Sequence, residues 1–258
     1  MEQTLEQSIR IMTERVVEVL KENRPRLYLY GSYAYGDFRP GWSDIDILCL
    51  TGDAISPAQA DALVSLRQTL TGEHPENPYF RLFEGGFLTL RAFLEKTPDT
   101  VVYWGTSGQR VTEFHSFNSF DMAALLECGI LLLGEDVRGA FAPSAFDELR
   151  RDVIRHYDTI RKHAQRTDGR VYSAGWLLDI ARCLYTLETG KVTSKTGAGE
   201  WALQNGHCPV PAALERAVAL RKNPAERTRD EGMQAWLSNL GGDIQAFADV
   251  LEAKLSEI

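Results

Sequence analysis

The side chains with the clearest chemical potential lie in residues 29–50, LYGSYAYGDFRPGWSDIDILCL, where Asp44 and Asp46 open an apolar run. In a β-strand, residues i and i+2 point to the same face, so the two carboxylates would lie roughly 7 Å apart on one side of the strand. Two anions at the head of a buried strand repel each other unless a cation offsets their charge, and Mg²⁺ prefers oxygen ligands of this kind. The pair therefore predicts a divalent metal site.

Gly31 and Ser32 form a second feature just upstream. Glycine lets the backbone approach a ligand closely, and a serine hydroxyl and N–H at the start of a turn or short helix are donors for phosphate oxygens. Each pair alone is common in ordinary turns. The combination of a strand, Gly-Ser, an eleven-residue loop and an Asp-x-Asp strand is more specific, and it indicates a site for a metal-bound phosphate compound.

The elements that position these residues follow from hydrophobic spacing. The pattern predicts a fold of the α/β (α+β) class, with a small mixed sheet flanked by helices in residues 1–143 and an all-helical bundle in residues 144–258. Strands are expected at RLYLYGS, DIDILCLT and YFRLFEGGFLTLRAF, a loop over 97–119, and helices over segments that include 172–189 and 231–257.

Composition narrows the setting. The net charge of −8 arises entirely in residues 1–143, where 20 acidic residues outnumber 12 Lys and Arg. This excess argues against non-specific nucleic-acid binding and suits a cationic small molecule or metal ions. Four cysteines without paired spacing indicate a reducing compartment, and no signal peptide or membrane span is evident, so a cytoplasmic protein without membrane contact is expected.

The motifs also carry a family resemblance. GSYAYGDFRPGWSDIDILCL resembles the signature of the DNA polymerase β-like nucleotidyltransferases, and within them the chain looks most like the streptomycin/spectinomycin (aminoglycoside 3''/9) adenylyltransferases. RLFEGGFLTL, with Glu84 placed 38 residues after Asp46, is similar to the family segment that carries a third carboxylate. ARCLYTLETGKVTSKTGAGEWAL is similar to the family's Arg-x-x-Tyr…Thr-Gly-Lys…Lys…Trp-Ala block.

The resemblance implies transfer of AMP from ATP to a hydroxyl of an aminoglycoside-type antibiotic, with release of pyrophosphate and with two Mg²⁺ ions in the site. Asp44 and Asp46 would hold the metal against the triphosphate, and Ser32 would contact its phosphates. Glu84 would be the general base, with a third metal ligand or a solvated strand residue as alternatives. In the helical domain Arg182 and Lys195 would contact the phosphates, with Lys191 competing for the role of Lys195.

The acceptor side is open. Family members present aromatic and acidic residues near the Arg-x-x-Tyr helix, and here that approach offers Asp168, Trp176 and Asp179, although a core aromatic and a surface acid remain alternatives for the last two. The expected partner is a cationic small molecule and the expected state a monomer. Two further hypotheses keep part of the chemistry: the same transfer to a protein or RNA acceptor, and a nucleotide-binding regulator without turnover.

Overall fold

The computed structural model describes residues 4–105, 108–225 and 231–257. This part of the chain divides into two compact units. The sheet unit comprises the chain up to Ala34, Asp44–Phe117 and Leu125–Ala142, and the helical unit comprises Tyr35–Ser43, Asn118–Ala124 and the chain from Pro143 onward. Two short segments from the first half of the chain thus pack with the helices that follow residue 143.

A mixed sheet forms the centre of the sheet unit. Its strands are β1 (Arg26–Leu29), β2 (Ile45–Thr51), β3 (Phe83–Thr89), β4 (Val101–Gly105), β5 (Gly108–Thr112) and β6 (Ile130–Leu133). They run in the order β5-β4-β3-β2-β1-β6, with β2 and β3 parallel and the other neighbours antiparallel. Strand β2 lies between two others and is buried along nearly all of its length, which explains its continuous apolar sequence.

The helices of the first half of the chain begin at clear sequence signals. They are α1 (Leu5–Leu20), α2 (Gly31–Ala34), α3 (Pro57–Glu73), α4 (Leu90–Glu95) and α5 (Ser119–Cys128). Thr4 and Gln7 form a capping box at the start of α1, and Ser56 and Gln59 form one at the start of α3. Each box satisfies backbone N–H groups that have no partner inside the helix, so both helices start where the sequence places the box.

The helical unit is built around one central helix. Its helices are α6 (Phe146–His163), α7 (Tyr172–Thr189), α8 (Lys195–Gln204), α9 (Pro211–Lys222), α10 (Glu231–Ser238) and α11 (Gly241–Glu257). Helix α7 contacts α6, α8, α9 and α11, and most of its residues are buried. Gly190 ends α7 in the left-handed conformation, with φ +67°, which glycine adopts without strain. Trp42, from the 35–43 segment, is buried in the same core.

The predicted fold class is confirmed, and helix α7 has the predicted bounds. The loop predicted over 97–119 is wrong in its middle, where β4 and β5 form the end of the sheet. The single helix predicted over 231–257 is two helices. The division at residues 143/144 stays a prediction. Among the described residues, no helix is long and apolar enough to cross a membrane.

Candidate active site

Asp44 and Asp46 lie at the start of β2, next to strand β1. Strand β1 pairs antiparallel with β2, with Leu29 opposite Ile47, and the backbone N–H of Tyr30 donates to the Asp46 carbonyl at 3.1 Å. The chain then turns at once into the short helix α2. Gly31 and Ser32 are therefore held next to Asp44 and Asp46, although eleven residues separate the two pairs in sequence.

Gly31 is required by both its backbone and its surroundings. Its φ of +64° lies in the left-handed region, and a Cβ atom at this position would collide with the Asp46 carboxylate. The hydroxyl of the next residue, Ser32, donates to the Asp44 carbonyl at 3.4 Å. The backbone thus passes closely over one carboxylate and leaves no room for a side chain there.

Asp46 and Glu84 occupy the same register position on neighbouring strands. Strands β2 and β3 are parallel, and Asp46 pairs with Glu84. Neighbouring strands are about 4.8 Å apart and paired residues share a face, so the two carboxyl groups emerge side by side. Both residues are half-buried between fully buried neighbours, and Asp44, just before β2, is half-buried as well. The sheet therefore brings together the three acidic residues that the sequence indicated.

Tyr103 orients Glu84. Its hydroxyl donates to Glu84 Oε1 at 2.7 Å, and the guanidinium of Arg110, paired with Tyr103 across β4 and β5, lies 4.7 Å from the centre of the tyrosine ring. A hydrogen bond to one carboxylate oxygen fixes the plane of the group and leaves the other oxygen to accept a proton. Tyr103 lies in the segment 97–119 that was expected to be a loop. Its role depends on β4, which the sequence did not predict.

Arg67 is a cation that sequence reasoning missed. From α3 it donates to the backbone carbonyls of Phe83 at 2.7 Å and Gly105 at 2.8 Å. Burial lowers the pKa of Arg67, and the charges of Glu84 and Asp44 act in the opposite direction. A guanidinium in this setting keeps its charge, so it offsets part of the repulsion among the acidic residues. A lone arginine on a helix gives no sequence signal for such a role.

His115 packs against the same part of the sheet. Gly86 is opposite Tyr103 in the register of β3 and β4. A Cβ atom at Gly86 would lie only 2.7 Å from the imidazole of His115, so the ring can pack here because the residue is glycine. Burial lowers the pKa of His115 to about 4, so the ring is neutral near pH 7. Its Nε2 atom is buried and has no hydrogen-bond partner within the described residues.

The sheet unit does not hold a ready-made metal cage. Over residues 4–105, 108–225 and 231–257, no three His, Cys, Asp or Glu side chains are grouped so that they could together hold a metal ion. The sheet unit instead has a carboxylate row, formed by Asp44, Asp46 and Glu84, with the backbone of Gly31 packed against Asp46.

In the helical unit, Arg182 and Lys195 share one carboxylate. Asp179 and Arg182 are one turn apart on α7, and Lys195 is the first residue of α8. Arg182 Nη2 donates to Asp179 Oδ1 at 3.2 Å, and Lys195 Nζ donates to Asp179 Oδ2 at 3.0 Å. Burial alone would raise the pKa of Asp179, but the charges of Lys195 and Arg182 outweigh it and hold the pKa below its ordinary value. Lys191 is exposed, whereas Lys195 is half-buried, so the two lysines have different surroundings.

Aromatic and imidazole rings surround this cluster. The Arg182 guanidinium lies 5.2 Å from the Phe120 ring centre, and the His156 ring lies 5.4 Å from the same phenylalanine. Burial lowers the pKa of His156, with the charge of Asp179 acting against the change. The imidazole is therefore neutral near pH 7, and the Asp179, Arg182 and Lys195 group carries a net charge of about +1.

Asp37 is a second residue that the sequence did not indicate. It lies in the signature loop, and its carboxylate accepts from the Thr196 hydroxyl at 2.6 Å, the Thr196 N–H at 3.3 Å and Arg221 Nε at 3.1 Å. Only 5% of the Asp37 side chain and 4% of the Arg221 side chain are exposed. Because Thr196 follows Lys195, this buried carboxylate fixes the first turn of α8 and the backbone that carries Lys195.

The remaining predicted residues, Trp176 and Asp168, take no part in the two hydrogen bonds that join Arg182 and Lys195 to Asp179. Trp176 is half-buried and packs against the core of the helical unit. Asp168 precedes α7, and half of its side chain is exposed beside Arg170, 2.7 Å away. The structure therefore collects Gly31, Ser32, Asp44, Asp46 and Glu84 in one unit, and Asp179, Arg182 and Lys195 in the other.

Comparison with known proteins finds a family match in each half of the chain. Residues 13–75 match the model of the nucleotidyltransferase domain, and residues 145–242 match the model of the aminoglycoside adenylyltransferase C-terminal domain. A solved structure of the spectinomycin adenyltransferase AAD(9) from Enterococcus faecialis, with ATP and spectinomycin, is similar in fold with a TM-score of 0.63. The match covers 96% of this chain and 100% of that one at 16% identity. The two matched domains, in this order on one chain, identify it as a nucleotidyltransferase of the aminoglycoside adenylyltransferase type.

Proposed function

We propose that the chain transfers the AMP group of ATP to a hydroxyl of a cationic, aminoglycoside-type antibiotic and releases pyrophosphate. The observation that carries the proposal is the pairing of Asp46 with Glu84, with the Gly31 backbone packed against Asp46. The AAD(9) structure, which contains ATP and spectinomycin, supports this nucleotide and a spectinomycin-like acceptor, and a streptomycin-like acceptor stays part of the proposal from the sequence motifs.

The carboxylates fit Mg²⁺. Mg²⁺ is usually bound through one or two carboxylates together with substrate phosphates, and not by an all-protein cage. Asp44 and Asp46 supply hard oxygen ligands, and because Gly31 has no side chain its backbone can lie directly against the Asp46 carboxylate. In this proposal Asp44 and Asp46 hold two Mg²⁺ ions, with Glu84 as base or as a third ligand. When bound, Mg²⁺ supplies positive charge to the phosphate oxygens and to the pyrophosphate that leaves.

The triphosphate needs further donors. Ser32 lies directly after the glycine and gives a hydroxyl and an N–H. Arg182 can donate to two oxygens at once, and Lys195 provides a compact charge. We assign these residues to the phosphates, and we prefer Lys195 to Lys191 because Lys195 lies beside Arg182 through their shared carboxylate.

Glu84 is the proposed general base. The acceptor oxygen attacks the α-phosphorus, a new P–O bond forms, and the bond from that phosphorus to the bridging oxygen of pyrophosphate breaks. The acceptor's proton passes to the Glu84 oxygen that does not accept from Tyr103. Arg67 contributes by partly balancing the acidic row, and the neutral His115 adds no competing charge.

The acceptor residues that we propose come from the helical unit. We retain Asp168 and Trp176 as candidates because an exposed carboxylate and a half-buried indole suit an ammonium-bearing ring system. Asp179 is already bound to two cations of its own unit, so any contact with the drug would have to be additional.

We further propose that the enzyme acts as a cytoplasmic monomer, with the catalytic domain in residues 1–143 and the substrate-binding domain in residues 144–258. The four described cysteines form no disulfide, which suits a reducing compartment where ATP is present.

The test is pyrophosphate release from ATP and Mg²⁺ with a panel of aminoglycosides, followed by intact-mass measurement of the drug. A gain of one adenylyl group is expected on at least one drug. Glu84→Gln should lower kcat by a factor of about 100 to 10,000 with ATP binding retained, since general-base catalysis has this size. Asp46→Asn should need a higher Mg²⁺ concentration for half-maximal activity, because a carboxylate ligand of the metal is lost.

Asp53→Asn is the matched control, because Asp53 forms an exposed pair with Arg24 and should leave kcat unchanged. Full activity of Glu84→Gln would refute the base assignment. If no drug gains mass, the same mass measurement on added protein or RNA decides for another acceptor, and ATP binding without any transfer decides for a regulator.

A further inference from the structure

Asp179 occupies the position of an anion between two cations. Each of its carboxylate oxygens accepts from a different residue, Oδ1 from Arg182 and Oδ2 from Lys195. The side chain of Asp179 is 14% exposed, compared with 22% for Arg182 and 28% for Lys195. The carboxylate is thus the most buried member of the cluster, and the two cations reach further toward solvent.

Arg182 and Lys195 need the negative charge of Asp179 when no other anion is bound to them. Two neighbouring cations that are mostly removed from water repel each other and lose hydration, and removing the partner of a buried charge is strongly destabilising. His156 contributes no charge, because burial lowers its pKa. Asp37 is already bound to Arg221 and Thr196. Among the described residues, Asp179 is the carboxylate paired with both cations.

The cations keep donors that Asp179 does not use. Arg182 binds the carboxylate through Nη2, while its Nε is buried without a hydrogen-bond partner in the described structure. The Lys195 ammonium has three N–H bonds and shows one bond to Asp179. The geometry resembles that of a phosphate held by Arg and Lys, with a carboxylate in the place of the phosphate.

We propose that Asp179 is an internal counterion that stands in for nucleotide phosphate on Arg182 and Lys195 while the enzyme is empty. This inference rests on the proposed function, in which these two residues bind the triphosphate. Asp179 then stabilises the empty protein and lowers its affinity for ATP, because the phosphates must share or replace contacts that are already satisfied. The residue sets the strength of nucleotide binding and does not take part in the chemical step.

The decisive variant is Asp179→Asn, which keeps the shape of the side chain and removes its charge. Without nucleotide, its melting temperature should fall by about 5 °C, because two partly buried cations lose their partner. Its Kd for ATP with Mg²⁺, measured by calorimetry without acceptor, should fall about tenfold. This factor corresponds to the free energy of one charge-assisted hydrogen bond, because the Asp179 carboxylate no longer competes with the phosphates for Arg182 and Lys195. ATP should therefore raise its melting temperature more than that of the wild type.

Two further variants serve as controls. Asp179→Glu keeps the charge and should retain a Kd within about twofold of the wild type. Asp249→Asn removes an exposed carboxylate from the Arg161 pair on the same unit and should change neither measurement. If Asp179→Asn folds poorly, tripolyphosphate added during refolding should raise its yield above that of untreated samples. A yield that does not respond contradicts the proposal.

An unchanged or raised Kd for ATP in Asp179→Asn overturns the inference, and a raised KM for the drug alone would instead make Asp179 an acceptor residue. The variants Arg182→Ala and Lys195→Ala, tested for ATP binding, distinguish failure of the counterion role from failure of the proposed function. If neither weakens ATP binding, the phosphate assignment is wrong. If both weaken it while Asp179→Asn does not tighten it, only the counterion role fails.

Discussion

Replacing Asp37 with asparagine tests how much the buried ion pair with Arg221 stabilises the helical unit. The substitution keeps an acceptor for the Thr196 hydroxyl but removes the charge that faces Arg221 Nε at 3.1 Å. The guanidinium, with 4% of its side chain exposed, then loses its hydrogen-bonded counter-charge and keeps only a coulombic attraction to Asp179 among the described residues. Removing one partner of a buried pair costs about 3 kcal/mol or more. For a protein of this size, that corresponds to a melting temperature about 6–12 °C lower.

The measurement is thermal unfolding followed by far-UV circular dichroism at pH 7. Asp53→Asn is the control, because its pair with Arg24 is more than half exposed and should contribute at most about 1 kcal/mol. Adding Arg221→Met to Asp37→Asn should recover part of the loss, since the unpaired charge is gone. A decrease of less than about 2 °C, or a double variant less stable than the single one, would refute this reasoning.

Two remaining predictions concern the sheet unit and use steady-state pyrophosphate release. Tyr103→Phe should lower kcat about tenfold with little change in the KM for ATP, because Glu84 loses its orienting hydrogen bond. A change confined to KM would contradict this. Gly31→Ala should lower kcat/KM about 100-fold, because the new Cβ displaces the Asp46 carboxylate. Wild-type kinetics in Gly31→Ala would show that this close approach has no role in catalysis.

The sequence predicts the carboxylate row well because local spacing determines it. Asp44 and Asp46 open a strand whose apolar pattern is unmistakable, and the Gly-Ser pair stands at the end of the strand beside it. The register of Asp46 against Glu84 is harder to predict, because it depends on how β2 and β3 align, which the 37 residues between these two positions do not specify.

The contacts of the other missed residues join distant parts of the chain. Asp37 binds partners 159 and 184 residues away, and no pattern near it signals such a contact. Strand β5, GQRVT, is polar and has no fully buried residue, because it lies at the sheet edge and pairs with β4 alone. The loop predicted over 97–119 reflects that polarity, and the role of Tyr103 was lost with it.

Strand and helix propensities also say nothing about the charge balance of the cation cluster. The family resemblance assigned Arg182 and Lys195 to phosphate and left Asp179 among the acceptor residues. The pair of Asp179 with Arg182 fits the i,i+3 spacing on α7, but only the packing of α7 against α8 shows that Lys195 binds the same carboxylate. Such pairing depends on helix crossing, which sequence spacing within one helix does not encode.

The packing of residues 35–43 limits how this chain can be recombined with its relatives. Trp42 and Asp37 belong to the core and the ion pairs of the helical unit, yet they are encoded more than 100 residues before most of that unit. A fragment that begins at residue 144 lacks both side chains. A hybrid protein joined near residue 144 keeps a complete helical core only when its 35–43 segment comes from the same parent as its C-terminal half. The helical unit therefore has to be exchanged as two separate segments of sequence.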